Sequence, residues 1–458
     1  MAKPYWDHEM ERALPVLQTL QDAGHEAVFV GGCVRDAVAG RPLKDVDIAT
    51  SATPDTVMSL FDRTVPTGLA HGTVTVLSEG ESYEVTTFRT DGDYEDHRRP
   101  AGVEFIADLE GDLLRRDFTM NAMAIRADGT LVDLYGGFED IGRRIVRCVG
   151  DADARFQEDA LRMVRAVRFA STFGYSIAIS AWRAIIRNRE LLNHVAMERI
   201  SAELDKMMDG AGPHRGAVWL AASGLLQHTR EPLPAVFAAP KRGGAVDGSE
   251  VDASGSNNSS GIPPLTLEAL ERLQHRDDRW AAVFLALRLT PDEAEETLTR
   301  LRFPVRRTSA IRAVVRVHEA AAAHAANFEA AAQPDAAAAW VSAVLSTGAD
   351  AAAAWLRVAR VFAEADSALG GTALSPRALS LLEERLAAMP CTTVRELAVG
   401  GTDLAERLGM KPGPRTGQLL QALLRAAASG ETPNEREALL ALAQSMEEER
   451  MNDGSYTS

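Results

Sequence analysis

The sequence predicts an α+β sheet domain at the N-terminus followed by an all-α remainder. Two observations carry this. Short runs rich in β-branched and aromatic residues recur through residues 1–143. From Arg144 onward, apolar residues fall at helical spacing almost throughout. A chain of 458 residues also exceeds what one core organises, so two to four domains are expected.

Ala27-Val28-Phe29-Val30 reads as a short buried strand running into Gly31-Gly32. Val46 and Ile48, Thr73 to Leu77, Tyr83 to Phe88, Val103 to Phe105 and Leu131 to Leu134 supply further strands. Sequential hairpin-like strands with few helices between them are the pattern of an α+β sheet. Residues 231–264 hold Lys241-Arg242-Gly243-Gly244 and a Gly/Ser/Asn run from Ser254 to Gly261, which predicts a disordered insertion. Residues 265–301 read as amphipathic helix. Residues 320–354 are Ala-rich, helical by propensity and expected to be loosely packed. Lys411-Pro412-Gly413-Pro414 divides the last helical stretch. The expected divisions are 1–143, 144–230, the insertion 231–264, 265–375 and 376–458.

Composition excludes some classes. No run of ~18 apolar residues occurs, so a membrane span is not expected. Met1 to Glu9 lacks the apolar core of a signal peptide. Cys33, Cys148 and Cys391 lie far apart, without the spacing of a disulfide framework or zinc site, which suggests reducing cytoplasm. The net charge of -16 weighs against a nucleic-acid partner. Against it, Arg143, Arg144, Arg147, Arg155, Arg162, Arg165 and Arg168 cluster in one stretch, and a local basic face can bind phosphates.

The densest chemistry is Gly31-Gly32-Cys33-Val34-Arg35-Asp36 followed by Lys44-Asp45-Val46-Asp47-Ile48. Carboxylates at i and i+2 on a strand share a face, so Asp45 and Asp47 can present oxygens to hard divalent cations, the Mg2+ ions of a two-metal phosphoryl displacement. Glu84, on a later strand, is the candidate third acid. Gly31 and Gly32 let backbone N–H groups approach a triphosphate, and Arg35 can neutralise part of its charge. An Asp-x-Asp alone is common on solvated loops; its order after strand, turn and helix is what raises its weight. Arg115-Arg116-Asp117 to Asn121 sets cations, an acid and an amide beside an apolar run, suited to ribose hydroxyls and phosphate oxygens.

On one continuous helix, Glu158, Asp159, Arg162 and Arg165 would share a third of the circle, opposite Ala160, Met163, Val164, Val167 and Ala170. A salt-bridged exposed face looks the same. The alternative is base selection. A carboxylate accepts from the exocyclic amine of cytosine or adenine while a guanidinium donates to the adjacent ring nitrogen, and guanine and uracil present the reverse pattern. One Asp–Arg pair could then accept CTP and ATP without a template.

These stretches resemble the class II (bacterial-type) tRNA nucleotidyltransferases, or CCA-adding enzymes, which share an N-terminal half with bacterial poly(A) polymerases. The matching residues are Gly31 to Asp36 with Asp45 and Asp47, Glu84 to Arg89, Arg115 to Ala124, Glu158-Asp159 with Arg162, and Glu198-Arg199-Ile200 with Glu203 and Lys206. The resemblance implies a nucleotidyltransferase head with a polymerase-β-like palm sheet, then a helical neck, body and tRNA-binding tail. It places Arg116, Asp117 and Asn121 at the ribose and triphosphate, and Asp159 and Arg162 at the base; Arg165 joins this nucleotide-binding set. It implies C, C and A addition to the tRNA 3′ acceptor end from CTP and ATP, with no membrane and no evident protein partner. Poly(A) polymerase and a partial A-adding enzyme are the alternatives. The run Pro66 to Thr73 looks like the CCA-adding type, and residues 91–100 provide the loop that CC-only enzymes tend to lack.

Overall fold

The computed structural model describes residues 8–91, 94–95, 99–100, 103–238, 266–324, 334–365, 369, 371–372, 374–411 and 413–453. The chain forms two compact units, residues 1–261 and 262–458.

The first unit opens with α1 (His8–Asp22), β1 (Ala27–Val30), α2 (Gly32–Val38), β2 (Asp47–Thr50), α3 (Pro54–Leu60), β3 (Thr64–Gly68), β4 (Thr73–Ser78) and β5 (Glu81–Thr87). There follow β6 (Arg89–Asp91), β7 (Tyr94–Glu95), β8 (Arg99–Pro100), β9 (Val103–Phe105), α4 (Leu109–Leu114), β10 (Met123–Ile125), β11 (Leu131–Asp133) and α5 (Gly137–Gly142). Seven strands make the main sheet in the order β11-β10-β1-β2-β5-β4-β3. The expected meander is therefore corrected: β2 and β5 are parallel neighbours, and β10 crosses back to lie beside β1. Val103 to Phe105 leaves the main sheet and pairs with β6 instead. Of residues 91–100, only the backbone of Asp91, of β7 and of its partner β8 is described.

Alternation along the strands sorts the sheet into two faces. Ala27, Phe29, Ile48, Val74, Val76 and Val85 point to one face, where α1 and α3 bring Leu17, Leu20 and Val57 against them. Val28, Val30, Ala49 and Ala124 point to the other, packed with Phe88 and with Leu109 and Leu113 of α4. By the same alternation Asp47 lies on this second face, beyond the end of its apolar cluster.

The unit continues with β12 (Ile145–Val146), α6 (Ala152–Glu158), α7 (Leu161–Phe173), β13 (Ser176–Ile177), α8 (Ile179–Asn188), α9 (Met197–Asp209) and α10 (Pro213–Ser223). Two-residue strands β12 and β13 pair in parallel, so the region past Arg144 is not helix alone. The expected insertion also begins too early. Leu233 and Phe237 are buried, and Leu233 N–H donates to the Leu226 carbonyl at 3.0 Å. Residues 239–264 lie outside the described residues.

The second unit is helical: α11 (Arg276–Ala286), α12 (Pro291–Arg300), α13 (Val305–Ala323), α14 (Pro334–Thr347), α15 (Ala349–Glu364), α16 (Pro376–Ala388), α17 (Gly401–Leu408), α18 (Pro414–Ser429) and α19 (Arg436–Asp453). The Ala-rich stretch is not loose. Trp340 and Trp355 are fully buried with ring centroids 5.7 Å apart, and Ala351, Ala352 and Ala354 let α15 approach its neighbours closely. Small residues bring the helix backbones together and two indoles fill what remains.

Trp355 Nε1 donates to His318 Nδ1 at 3.2 Å, which requires His318 to be neutral there. Burial pushes the His318 imidazolium down to about 4, below the ~6.5 of an unfolded histidine. The unfolded chain therefore binds the proton first. The stability this contributes is complete above pH ~6.5 and is lost as pH falls toward 4, amounting to up to ~3 kcal/mol. Thermal midpoints of His318→Gln should fall less steeply than wild type between pH 6.5 and 4. Parallel acid limbs would remove His318 from the account.

Candidate functional site

β1 delivers the chain to Gly31, which caps α2 at φ 72°. A Cβ at Gly31 would lie 3.2 Å from Arg116 Nη1 and 3.5 Å from Asp47 Oδ2. Glycine is needed here both for the positive φ and for the close approach of these two charged groups.

Asp47 is the first residue of β2 and stands in register with Glu84 on β5. The parallel pairing sets both side chains on one face. Asp45 precedes the strand and is exposed, so the expected strand-borne Asp-x-Asp is only half on a strand. Its charge still acts on Asp47. Burial pushes the Asp47 carboxyl up to about 6, Glu84 and Asp45 push the same way, and Arg116 and Arg35 oppose them. This cluster is short of positive charge. Among the described residues, no group of three or more His, Cys, Asp or Glu is arranged to hold a metal ion. Cys33, beneath the turn, is buried, and its thiol is pushed up to about 12, so it stays protonated.

Arg115 and Arg116 follow the end of α4, Arg115 as its C-cap. Asp108 caps the N-terminus of α4, accepting from Gly111 N–H at 3.0 Å. Asp112, 1% exposed, then accepts from Arg115 Nε at 2.9 Å and Nη2 at 2.7 Å through one oxygen, and from Arg116 Nη2 at 2.9 Å through the other.

Several of the expected nucleotide-binding residues also hold one another. Arg35 donates to Asp36 at 3.0 and 2.8 Å and to Asn121 Oδ1 at 2.9 Å, and lies 4.6 Å from the centroid of Phe173. Asp117 accepts from Phe118 N–H, from Asn121 Nδ2 at 3.0 Å and from Arg165 Nε at 2.8 Å. Burial opposes its ionised form, but Arg165 and these hydrogen bonds hold its carboxyl down at about 2. Arg165 also reaches Glu203 at 3.5 Å, and Glu203 accepts from Arg168 Nε at 2.5 Å. Asp117, Asn121, Arg35 and Arg165 thus form one connected network from α2 to α9.

Asp159 and Arg162 do not share a helix with Glu158. α6 ends at Glu158, Asp159 is extended (φ -137°, ψ 104°), and α7 starts at Leu161. Asp159 precedes the N-cap residue Ala160; its carboxylate accepts from Leu161 N–H at 3.1 Å and from Arg199 Nη1 and Nη2 at 3.3 and 2.7 Å. That competition for the backbone breaks the helix. Arg162 is buried. It donates to Glu158 Oε2 at 2.5 Å and to the carbonyls of Arg155 and Arg115 at 3.2 and 3.0 Å. The apolar arc held: Ala160, Met163, Val164, Val167 and Ala170 are all buried.

Asp112, Phe169 and Phe173 were missed. Asp112 had a signal in its i,i+3 and i,i+4 spacing to Arg115 and Arg116. The two phenylalanines had none beyond apolar periodicity; stacked at 5.7 Å, they carry the guanidiniums of Arg35, Arg165 and Arg168 on Phe169 and those of Arg35 and Arg41 on Phe173.

With this geometry in place, known proteins are informative. Residues 27–147 match a family described as the poly A polymerase head domain. Residues 174–233 match "Probable RNA and SrmB- binding site of polymerase A", and residues 271–443 match a second-domain family of tRNA nucleotidyltransferases. The CCA-adding enzyme of Geobacillus thermodenitrificans is 41% identical over 94% of this chain and 96% of its own length. That of Geobacillus stearothermophilus is 39% identical over the same shares. The crystal structure of the Bacillus stearothermophilus CCA-adding enzyme in complex with CTP superposes with a TM-score of 0.76 at 34% identity, covering 98% of this chain and 100% of that one. Thermotoga maritima CCA-adding enzyme complexed with tRNA, at 18% identity and a TM-score of 0.63, shares the fold. The chain belongs to the bacterial-type (class II) CCA-adding enzymes, the tRNA nucleotidyltransferases.

Proposed function

We propose that this chain adds C, C and A to the 3′ acceptor end of tRNA, taking CTP and ATP in turn and releasing diphosphate at Asp45, Asp47 and Glu84. The observation that carries the assignment is the register of Asp47 with Glu84 beside Gly31 and Arg116, in a chain of the CCA-adding family.

Asp45 and Asp47 would hold the divalent cations, Mg2+, as a two-metal pair. The donor set fits in its chemistry: hard carboxylate oxygens, one exposed and one partly buried, with burial first and the neighbouring acids second raising Asp47 to about 6. Mg2+ is commonly held by one or two carboxylates with substrate phosphates completing the shell, so a closed protein cage is not required. When bound, the ions supply positive charge at the attacking and leaving oxygens of an in-line displacement. The chain's own groups do the rest. The opening at Gly31 and Gly32 admits the triphosphate, and Arg116 offers it a guanidinium. Arg35, Asp117, Asn121 and Arg165 set the shape of the pocket floor, and Asp159 and Arg162 read the base.

We assign residues 1–143 to a head, 144–230 to a neck, 265–375 to a body and 376–458 to a tail that, with the body, holds the tRNA. No helix among the described residues is long and apolar enough to cross a membrane, and buried free cysteines fit work in the cytoplasm. Incubating tRNA that lacks its 3′ CCA with each labelled nucleotide tests the assignment. CTP should enter twice and ATP once, in that order, with no incorporation of GTP or UTP. Repeated ATP addition would mark a poly(A) polymerase, and ATP entry only on tRNA already ending in CC would mark an A-adding enzyme.

A further inference from the structure

We propose that Asp112 is a positioning residue for the triphosphate: it fixes the Arg116 guanidinium between the Gly31 turn and Asp47. The inference rests on the nucleotidyl-transfer reading above and adds a residue to it.

Three observations converge. The Asp112 carboxylate is almost completely buried, yet accepts only charged donors in the contacts described: two from Arg115 and one from Arg116. A buried carboxylate held by two guanidiniums leaves a net positive charge at the end of α4, and that charge faces the cluster of Asp45, Asp47 and Glu84. Arg116 itself has donor capacity left over. Its Nε is buried without a hydrogen-bond partner, and Nη1 reaches only the Asn121 carbonyl at 3.4 Å while standing against the Gly31 turn. Nη1, weakly engaged at the turn, is the donor that an anion arriving with the substrate would take up.

The geometry also explains why α4 is built as it is. Asp108 caps its start, Gly111 admits the Ile106 side chain where a Cβ would meet it at 2.6 Å, and Leu109 and Leu113 anchor it to the sheet. The helix is thereby fixed, and its last turn sets Asp112 directly beneath the paired arginines at i+3 and i+4. The Arg115 carbonyl accepts from Arg162, so the same turn that aims Arg116 at phosphate also seats the guanidinium proposed to read the base. Without the Asp112 charge, Arg116 loses its 2.9 Å partner and keeps the longer 3.4 Å contact with the Asn121 carbonyl, and with it loses its alignment toward an incoming phosphate chain.

The test compares Asp112→Asn with wild type, using inorganic tripolyphosphate as a competitive inhibitor of both CTP and ATP incorporation. Asp112→Asn should raise the tripolyphosphate inhibition constant and the KM for both nucleotides by about tenfold or more, leaving the KM for tRNA and the CTP:UTP preference unchanged. Val57→Ala, which opens a cavity under α3 on the opposite face of the sheet from α4, is the structural control. It should lower the thermal midpoint and leave the tripolyphosphate constant within about twofold. An unchanged constant in Asp112→Asn overturns the proposal, and so does an equal rise in Val57→Ala at a temperature where both variants are folded. A wild-type chain that adds no nucleotide to tRNA would instead overturn the function on which the proposal rests.

Discussion

Replacing Asp47 by asparagine should lower nucleotide addition by at least ~10³-fold while tRNA affinity stays within about twofold, because the carboxylate serves charge neutralisation at the reacting phosphate and touches no RNA. The same change should make the protein more stable. In the absence of divalent cations, Asp47 is a partly buried anion beside Glu84 and Asp45, and its carboxyl is pushed up to about 6 from an unfolded value near 4. A raised carboxyl means the folded chain binds the proton more tightly than the unfolded chain. Ionised Asp47 therefore costs stability above pH 6, by on the order of 1–3 kcal/mol after allowance for its partial exposure. Asp47→Asn removes that cost. With a chelator present, its thermal midpoint should exceed wild type at pH 7.5, and the gap should close as pH falls through 6 toward 4. A variant that is both inactive and less stable at pH 7.5 would point to a structural aspartate rather than a site strained for catalysis.

How much of this site was legible in the sequence depends on the range of the interactions involved. The turn at Gly31 and the strand after it are short-range features, and hydrophobic runs with glycine punctuation located both. Asp47 and Glu84 were named as candidates, but their register across parallel strands is a long-range fact. Nothing local indicates that β2 pairs in parallel with β5 rather than with a strand next to it in sequence. The break at Asp159 was missed because helical periodicity counts only where the apolar residues fall. An aspartate that accepts from the Leu161 N–H, and that meets Arg199 from forty residues away, ends one helix and begins another without disturbing the apolar arc. The Ala-rich body erred in the opposite direction. Propensity gave the helices correctly but not their packing, because Trp340 and Trp355 meet only after the chain folds back.

Base selection by Asp159 is the prediction that the broken helix makes most specific. The Asp159 carboxylate is steadied by the Leu161 N–H and by a two-point contact with Arg199; Oδ1 accepts from both, at 3.1 and 3.3 Å, while Oδ2 accepts only Arg199 Nη2 at 2.7 Å in the contacts described and can still accept from N4 of cytosine or N6 of adenine. Arg162 is held independently by Glu158 and two backbone carbonyls. The two groups are therefore fixed by protein contacts before any base arrives, as discrimination by hydrogen-bond polarity requires. Asp159→Ala should reduce rates with CTP and ATP and weaken discrimination against UTP and GTP by ~1–3 kcal/mol, roughly 5- to 150-fold in the ratio of kcat/KM values. It should also cost ~1 kcal/mol of stability, since the Leu161 N–H and Arg199 lose their carboxylate partner. That second loss acts on all four nucleotides alike and cannot change their ratio. Arg162→Ala should mainly lower the rates, because deleting a donor creates no attraction for the wrong bases. Steady-state kinetics with each nucleotide on tRNA ending before its CCA measures both terms. If Asp159→Ala lowers the thermal midpoint while leaving the CTP:UTP ratio untouched, Asp159 is structural and the base is read elsewhere.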